Sequence, residues 1–371
     1  MNTRHQLFSQ IDQSILSIPM DEFHLSNETE NNREKKMKSI IRDHCQNHEH
    51  SILNRIEAEY FGLGPLQEIL ADELITEILV NGPNDIWYEK NGRLEKHLDQ
   101  FYSITTFNNC IERVCLEMGK QITQEFPVVD GHFREFRISI VSHELTMNQY
   151  HFALRRHPKN PWTFDKLYEK SWATKEQIDV LKKIFYQHSS FVVVGGTGSG
   201  KTSLLNSFLQ LLPENERSII IEDTKEIQLP NSASMRLMTR NDSQGLLPEV
   251  DQTQLLKRAL RLRPDRIIMG EIRGNEAKDF LQAMATGHHG SFASLHADNA
   301  QQALIRLEML IQMGAPQWQI QAIRKLIHMS LHYIIVVGRS QGGQRQLQGI
   351  YRLCSLEDHG FTVENVDSMS F

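Results

Sequence analysis

The second half of the chain alternates short apolar runs with amphipathic helical patterns. Apolar residues recur every three or four positions over 203–212, 254–262, 275–286 and 300–313, which is typical of helices that bury one face. Around them lie short apolar runs without alternation, at 191–194, 218–221, 266–269, 291–295 and 333–337. Strands that are apolar on both faces and are separated by helices predict an α/β domain with a mostly parallel sheet.

The first half of the chain has a less regular pattern. Short apolar segments predict strands at 75–80, 85–88, 136–141 and 150–154, with a hairpin turn at Asn91-Gly92. One helix is predicted where apolar residues recur at helical spacing, at Ile111, Val114, Cys115 and Met118. These elements predict a small mixed α/β N-terminal domain over residues 51–158.

Polar and proline-containing stretches divide the chain. Residues 1–50 are polar and charged, and we expect a mobile or weakly packed extension there. Two prolines within 158–164 predict a linker over 159–173, and residues 241–248 are predicted to form a polar loop. The second domain is expected to span 174–371. It opens with a capping box formed by Thr174 and Gln177, and it ends in a hairpin that turns at Gly342-Gly343.

Composition restricts the class of protein. The 371 residues suffice for two domains, and 40 Lys and Arg against 46 Asp and Glu argue against a dedicated nucleic-acid binder. The four cysteines form no C-x-x-C pair, so neither a disulfide framework nor a zinc ribbon is indicated. No signal-peptide pattern is present, and no apolar stretch approaches the ~20 residues that span a bilayer. We therefore expect a cytoplasmic protein without direct membrane insertion, peripheral at a membrane only through a partner.

The predicted strand 191–194 runs into a glycine-rich loop. Residues 195–202 match G-x-x-x-x-G-K-[ST] in full and precede a predicted helix. The glycines let backbone N–H groups face phosphate oxygens, Lys201 supplies a charge for the β- and γ-phosphates, and the Thr202 hydroxyl is placed to ligate Mg²⁺. The motif therefore predicts a site for ATP and Mg²⁺. Its nucleotide-binding residues are Gly195, Gly196, Thr197, Gly198, Ser199, Gly200, Lys201, Thr202 and Ser203.

Carboxylates follow two other predicted strands. Glu222 comes directly after 218–221, and Glu271 follows 266–269 after one glycine. Because an open parallel sheet binds ligands at the carboxyl ends of its strands, both acids are expected beside the phosphate loop. Glu271 is predicted to hold Mg²⁺ directly or through water, and Glu222 to orient or deprotonate the attacking water. Helix capping or a surface salt bridge is the alternative for either acid.

Several motifs taken together resemble one family. The loop 195–202 is followed by an acidic box at 221–226, a segment at 261–273 with Arg-Pro-Asp-Arg and Gly-Glu, and a histidine box at 286–297. This order resembles that of the secretion-superfamily traffic ATPases. In the first half, Gly-Leu-Gly-Pro-Leu and Ile-Leu-Val-Asn-Gly-Pro resemble the CpaF/TadA branch, which serves tight-adherence and related pili.

The resemblance implies a RecA-like P-loop ATPase domain behind the smaller domain, in a homohexameric ring that binds ATP between the domains. It also implies docking on an inner-membrane platform protein, with MgATP hydrolysis powering pilus assembly or protein secretion. His288 and His296 would be the histidine-box residues that couple nucleotide state to subunit contacts, and Arg273 would lie close to the γ-phosphate.

Arginines of the first domain are candidates for neutralising charge on the phosphates when domains or neighbouring subunits close. Surface solvation is the alternative for each of them. The candidates are Arg134, Arg137, Arg155 and Arg156.

Other functions remain open at this stage. One is a type IV secretion ATPase for protein or DNA export, another is a nucleotide-gated assembly scaffold with little turnover, and a third is a nucleic-acid motor. Type II assembly ATPases are disfavoured, because relatives that drive type II secretion carry a four-cysteine zinc insertion that this sequence lacks.

Overall fold

The structure is a computed structural model that describes residues 3–17, 29–146, 149–156, 162–240, 247–340, 343–357 and 360–367. The chain divides into two compact units, Met1–His157 and Pro158–Phe371. Residues 157–161, residues 241–246 and Gly342 lie outside the described residues, and with them parts of the predicted linker, polar loop and hairpin turn. Within the described ranges, no helix combines the length and apolarity needed to cross a membrane.

An antiparallel sheet forms the centre of the first unit. Its strands, in the order β3-β2-β1-β6-β5-β4, are β1 (Ile75–Val80), β2 (Ile86–Lys90), β3 (Arg93–Lys96), β4 (Val128–Phe133), β5 (Phe136–Val141) and β6 (His151–Arg156). The helices are α1 (Thr3–Leu16), α2 (Thr29–Cys45), α3 (His50–Phe61), α4 (Leu66–Ala71) and α5 (Ile104–Glu117). Ile138 and Ile140 of β5 share a buried core with Phe107 and Ile111 of α5. The predicted small mixed α/β domain is confirmed.

Within residues 3–17 and 29–50, the chain is packed, unlike the weakly packed extension that we expect from the sequence. These residues contain α1 and α2, and Ile11 and Ile41 of these helices are fully buried with Ile56 of α3. The physical reason is that a few apolar residues at helical spacing suffice to bury one face of a helix whose other faces are charged. High overall polarity therefore does not prevent packing here.

The second unit contains a sheet with helices on both faces. Its strands, in the order β14-β13-β12-β7-β11-β10-β8-β9, are β7 (Phe191–Val194), β8 (Ser218–Glu222), β9 (Met235–Met238), β10 (Arg266–Ile272), β11 (Phe292–Leu295), β12 (Tyr333–Arg339), β13 (Arg345–Glu357) and β14 (Gly360–Asn365). The helices are α6 (Phe164–Glu169), α7 (Lys175–Tyr186), α8 (Lys201–Leu209), α9 (Gln252–Ala259), α10 (Glu276–Ala285), α11 (Ala300–Gly314) and α12 (Ile320–Ser330).

The six strands from β12 to β9 pair in parallel, and β13 and β14 add antiparallel at one edge. This confirms the predicted mostly parallel sheet. Strands β12 and β13 pair antiparallel on either side of the predicted hairpin turn, of which Gly342 lies outside the described residues. Strand β7 shows why the apolar runs do not alternate: Val192 and Val194 lie in the core on one face of the sheet, and Phe191 and Val193 lie in the core on the other face.

Patterns of residues that are close in sequence predict some elements of the second unit and fail to predict others. Thr174 caps α7, and its side chain and that of Gln177 exchange hydrogen bonds with each other's backbone, so the predicted capping box is confirmed. The pattern does not predict α12, and it does not predict the edge strand β9, in which an arginine interrupts a four-residue run. Part of the predicted linker is helical, because α6 begins at Phe164 and buries that side chain.

Candidate nucleotide-binding site

The phosphate loop joins the end of β7 to the start of α8. Gly198 and Gly200 have positive φ angles of 69° and 101°, which side chains with a Cβ rarely adopt. At Gly195 the limit is space, since a Cβ would lie 2.3 Å from the carbonyl oxygen of Val337 on β12. The loop therefore needs glycine at these positions for two different reasons, backbone conformation and close packing.

Lys201 begins α8 and is 8% exposed. Its ammonium donates to the carbonyl oxygens of Gly195 and Gly196 at 2.9 and 3.0 Å. Burial lowers the pKa of this ammonium from its ordinary value, while the charges of Glu271 and Glu226 oppose that effect. The lysine thus occupies the concave side of the loop with two carboxylates close enough to influence its charge.

His296 connects Lys201 with the carboxylate of Glu271. Its Nε2 lies 3.0 Å from Glu271 Oε1, and its Nδ1 lies 3.4 Å from Lys201 Nζ. Burial lowers the pKa of His296, and the Lys201 charge lowers it further. A neutral imidazole with its proton on Nε2 fits both contacts, because Nε2 then donates to the carboxylate and Nδ1 accepts from the ammonium.

Arg273 holds the other oxygen of Glu271. Its Nη2 donates to Glu271 Oε2 at 2.5 Å, and its Nη1 lies 3.7 Å from Asp223 Oδ2. The hydrogen bond to Glu271 raises the pKa of the guanidinium. The structure therefore brings Lys201, His296, Glu271 and Arg273 together at the carboxyl ends of β7, β10 and β11.

Glu226 lies against Thr202, a contact that the sequence analysis did not assign. The Thr202 hydroxyl donates to Glu226 Oε2 at 3.2 Å. Asn206, one turn further along α8, donates to the carbonyl oxygens of Thr202 and Glu226 and accepts from the backbone N–H of Gln228. The segment that carries Glu226 is thereby fixed to the helix that begins at Lys201.

Glu222 ends β8, at the carboxyl end of the strand as predicted, but its carboxylate is bonded within the protein. It is 3% exposed, and its Oε2 accepts from the backbone N–H groups of Glu226 and Ile227 at 3.0 and 3.1 Å. Its Oε1 pairs with Arg236 Nε of β9 at 2.5 Å. Burial raises the pKa of Glu222 despite these hydrogen bonds. This differs from the prediction that Glu222 handles the attacking water, because both of its oxygens are bonded to the protein and shape the loop before Glu226.

His288 lies at the amino-terminal ends of the parallel strands, whereas the phosphate loop lies at their carboxyl ends. It precedes β11, whereas the loop follows β7, and these two strands run parallel. Its Nδ1 lies 3.3 Å from the carbonyl oxygen of Ala283 at the end of α10. Of the two histidines predicted to couple nucleotide state to subunit contacts, the structure therefore brings His296, and not His288, to Lys201.

The four arginines predicted in the first unit have different surroundings. Arg134 is half exposed at the β4–β5 turn and pairs with Glu117 at 3.0 Å. Arg137 is exposed, and Arg155 is exposed 3.8 Å from Glu77. The side chain of Arg156 is 7% exposed: it donates to the carbonyls of Leu70, Asp72 and Ile75 and to Glu135, and it covers the ring of Phe136. These contacts contradict the phosphate-neutralising prediction for Arg156, because its guanidinium is already occupied; for the other three it stays a prediction.

We expect Arg156→Ala to lower the free energy of unfolding by about 3 kcal/mol, because three backbone carbonyls and a carboxylate lose their donor inside the first unit. Denaturant unfolding of the full chain measures this. Arg155→Ala is the matched control on the neighbouring residue, with an expected change below about 0.5 kcal/mol, since that side chain is 54% exposed. Unchanged unfolding in Arg156→Ala would contradict the structural role.

The sheet is mostly parallel, and the phosphate loop and the carboxylates lie at the carboxyl ends of its strands. These features define a P-loop protein of the RecA-like α/β class. The chain belongs to the Type II/IV secretion system protein family, whose profile matches residues 59–337. The resemblance to secretion-superfamily traffic ATPases is thereby confirmed.

Two similar proteins illustrate this membership, and one solved structure shares the fold. The type IV secretion system protein PtlH of Bordetella pertussis is 30% identical over 325 residues, covering 78% of this chain and 94% of that protein. The conjugal transfer protein TrbB of Rhizobium radiobacter is 31% identical over 233 residues, covering 62% of this chain and 67% of that protein. The crystal structure of the pilus retraction motor PilT with bound ADP superposes with a TM-score of 0.56 at 20% identity, covering 77% of this chain and 81% of that chain, which shows a shared fold.

Proposed function

We propose that this protein hydrolyses MgATP and that the hydrolysis drives a pilus or secretion machine. The observation that carries the proposal is the convergence of a lysine, a threonine hydroxyl and two carboxylates around one phosphate loop. Phosphoryl transfer needs positioning and charge stabilisation more than covalent chemistry, and these are the groups that supply both.

The oxygen donors of the site suit Mg²⁺, which prefers hydroxyl, carboxylate and water ligands. Thr202 would hold the ion directly, and Glu271 would hold it directly or through water. When bound, Mg²⁺ neutralises charge on the β- and γ-phosphates. Lys201 would bind the same phosphates once its bonds to the loop carbonyls are exchanged for phosphate oxygens.

Glu226 is the residue that we propose for orienting the attacking water and accepting its proton. The support is its 3.2 Å contact with the Thr202 hydroxyl, beside the place where the γ-phosphate and its metal would lie. Glu222 would act through Glu226, by holding the backbone of that residue in place. Arg273 would stabilise charge near the γ-phosphate, in keeping with its bond to Glu271.

Membership of the Type II/IV secretion system protein family supports the mechanical output that we propose. We propose a cytoplasmic homohexameric ring that is peripheral at the inner membrane through a platform protein, with no nucleic-acid substrate. The motifs of the first half favour a tight-adherence type pilus. The 30% identity to a type IV secretion system protein over 78% of the chain favours export of protein or DNA as the second candidate.

Phosphate release by the purified full chain tests the enzyme function. We expect release with ATP and Mg²⁺ and none after chelation with EDTA, because the ion supplies charge that the protein groups do not replace. Thr202→Val should raise the magnesium concentration needed for half-maximal turnover about tenfold or more, while Thr202→Ser, which keeps the hydroxyl, should not. No release from a hexameric, nucleotide-bound preparation would favour the scaffold function.

Deletion of the gene distinguishes the proposed pilus function from the proposed type IV export function. Loss of surface pili with normal export and mating would support the pilus function, and the reverse pattern would support the type IV function. Complementation with an inactive Lys201→Ala chain is the control that assigns the effect to nucleotide use.

A further inference from the structure

Asp223 is a carboxylate at the carboxyl ends of the parallel strands that the proposed reaction does not use. It follows β8 directly after Glu222, and its side chain is 38% exposed. Its Oδ1 accepts from the Thr239 hydroxyl at 3.0 Å and from Gln252 Nε2 at 2.9 Å. Thr239 follows β9 and Gln252 begins α9, so three segments of the chain meet at this carboxylate.

Gln252 gives Asp223 a fixed position. Gln252 is 7% exposed, so its side chain has already lost its rotamer freedom on folding. The bond from its amide nitrogen to Asp223 therefore restrains the carboxylate without ordering a mobile group. Asp251, the preceding residue, caps α9 by accepting from the backbone N–H of Gln254, which fixes the start of the helix that carries Gln252.

The second oxygen of Asp223 faces Arg273. The distance of 3.7 Å from Asp223 Oδ2 to Arg273 Nη1 lies within ion-pair range but is too long for a hydrogen bond. Arg273 Nη2 donates to Glu271 at 2.5 Å, so the two terminal nitrogens of the guanidinium contact carboxylates at the carboxyl ends of two different strands, β10 and β8. The hydrogen bond to Glu271 and the charges of Glu271 and Asp223 raise the pKa of the guanidinium.

Two contacts fix the direction of the guanidinium better than one. The Arg273 side chain is 56% exposed, and a planar group held at a single nitrogen can turn about that bond into solvent. Attraction at the second nitrogen opposes this rotation, because Asp223 is itself held by Thr239 and Gln252. Asp223 therefore keeps the guanidinium at the carboxyl ends of the strands, where the phosphate loop also lies.

We propose that Asp223 is a positioning residue for Arg273, and that it thereby makes the site prefer a nucleoside triphosphate to a diphosphate. Arg273 adds positive charge at the γ-phosphate, a group that the diphosphate lacks, and Asp223 acts only through Arg273. This inference rests on the proposed function, which places Arg273 near the γ-phosphate.

Charge alone would have the opposite effect. Removing a carboxylate near a phosphate site strengthens the binding of anions, and most of all that of the triphosphate, which carries more negative charge than the diphosphate. If Asp223 positions Arg273, its removal weakens triphosphate binding instead. Asp223→Asn is the suitable variant, because its amide oxygen can still accept from Thr239 and Gln252 while the charge opposite Arg273 is lost.

Titration of the full chain with ADP and with a non-hydrolysable ATP analogue, both with Mg²⁺, tests the proposal without turnover. The measured quantity is the ratio of the two dissociation constants. Arg273→Ala should reduce the preference for the triphosphate about tenfold, since charge-assisted hydrogen bonds to the γ-phosphate are lost. Asp223→Asn should reduce it about fivefold, and the double variant should match Arg273→Ala.

Asp251→Asn is the matched control. It removes the same charge from an exposed residue next to Gln252, and asparagine caps a helix as well as aspartate does. Its preference for the triphosphate should equal that of the wild type or exceed it slightly, which measures the effect of charge alone. A purely structural role of Asp223 would weaken the binding of both ligands equally and leave the ratio unchanged, and that result would overturn the proposal.

Other outcomes separate this inference from the proposed function. If Arg273→Ala lowers the preference while Asp223→Asn stays within about twofold of the wild type, Asp223 does not position Arg273 and this inference alone is wrong. If the free-energy effects of the two single variants add in the double variant, Asp223 acts independently of Arg273 and this inference is again wrong. An unchanged preference in Arg273→Ala would overturn the proposed role of Arg273 as well, and a wild-type protein that binds neither ligand would overturn the nucleotide site.

Discussion

Lys201→Ala is expected to lower ATP affinity on the order of 100-fold, because it removes the charge-assisted hydrogen bonds that the β- and γ-phosphates would receive. The same ammonium donates to two loop carbonyls and to His296 Nδ1, but the cost of burying its charge, which lowers its pKa, offsets the stability that these bonds add. Removing it should therefore leave the melting temperature of the nucleotide-free protein nearly unchanged. Isothermal titration with ATP and thermal unfolding without nucleotide measure the two effects.

Lys225→Ala is the matched control for this experiment. Lys225 lies in the loop after β8 and is exposed, so its removal changes the net charge equally without touching the phosphate loop. ATP affinity should stay within about twofold of the wild type in this variant. If Lys201→Ala and Lys225→Ala bind ATP equally well, the phosphate loop is not the nucleotide site.

Glu226→Gln and Glu271→Gln are each expected to lower the turnover rate about 100-fold while ATP affinity is retained. Glutamine keeps the size of each side chain but can neither accept a proton from water nor offer a charged oxygen to Mg²⁺. Single-turnover hydrolysis together with ATP titration separates the chemical step from binding. If the two residues act as a unit, the double variant should be little slower than either single variant.

Glu222→Gln distinguishes the two glutamates of the acidic box. It breaks the ion pair with Arg236 at the end of β8, so we expect a clear loss of stability with a smaller effect on turnover than that of Glu226→Gln. Turnover in Glu222→Gln as slow as in Glu226→Gln, with unchanged stability, would return the water-orienting role to Glu222. Denaturant unfolding and phosphate release are the two measurements.

The parallel sheet could be predicted from sequence because its signals are local. The run 191–194 is apolar at every position, and the glycine-rich motif that follows it has one common structural context. The capping box at Thr174 is likewise decided by two side chains three residues apart. Each of these signals depends on near neighbours in the chain, which the sequence displays directly.

The choice between Glu222 and Glu226 could not be predicted in the same way. Both are acidic and both follow the same strand, and only the path of the intervening turn decides which carboxylate reaches Thr202. That path depends on Arg236 of β9, a strand that the sequence pattern does not predict. The hydrogen bonds from Arg339 and Arg345 to the carbonyl oxygen of Gly198 could not be predicted either, because they join residues more than 140 positions apart in the chain.

The close approach of Gly195 to Val337 bears on how the glycine-rich signature is inherited. A methyl group at this position would collide with a backbone oxygen of β12, whether or not the protein ever meets ATP. The first glycine of the signature, Gly195, is thus required by strand packing rather than by catalysis. A descendant that had lost hydrolysis but kept its fold would still preserve this glycine, so its presence alone is no record of surviving activity.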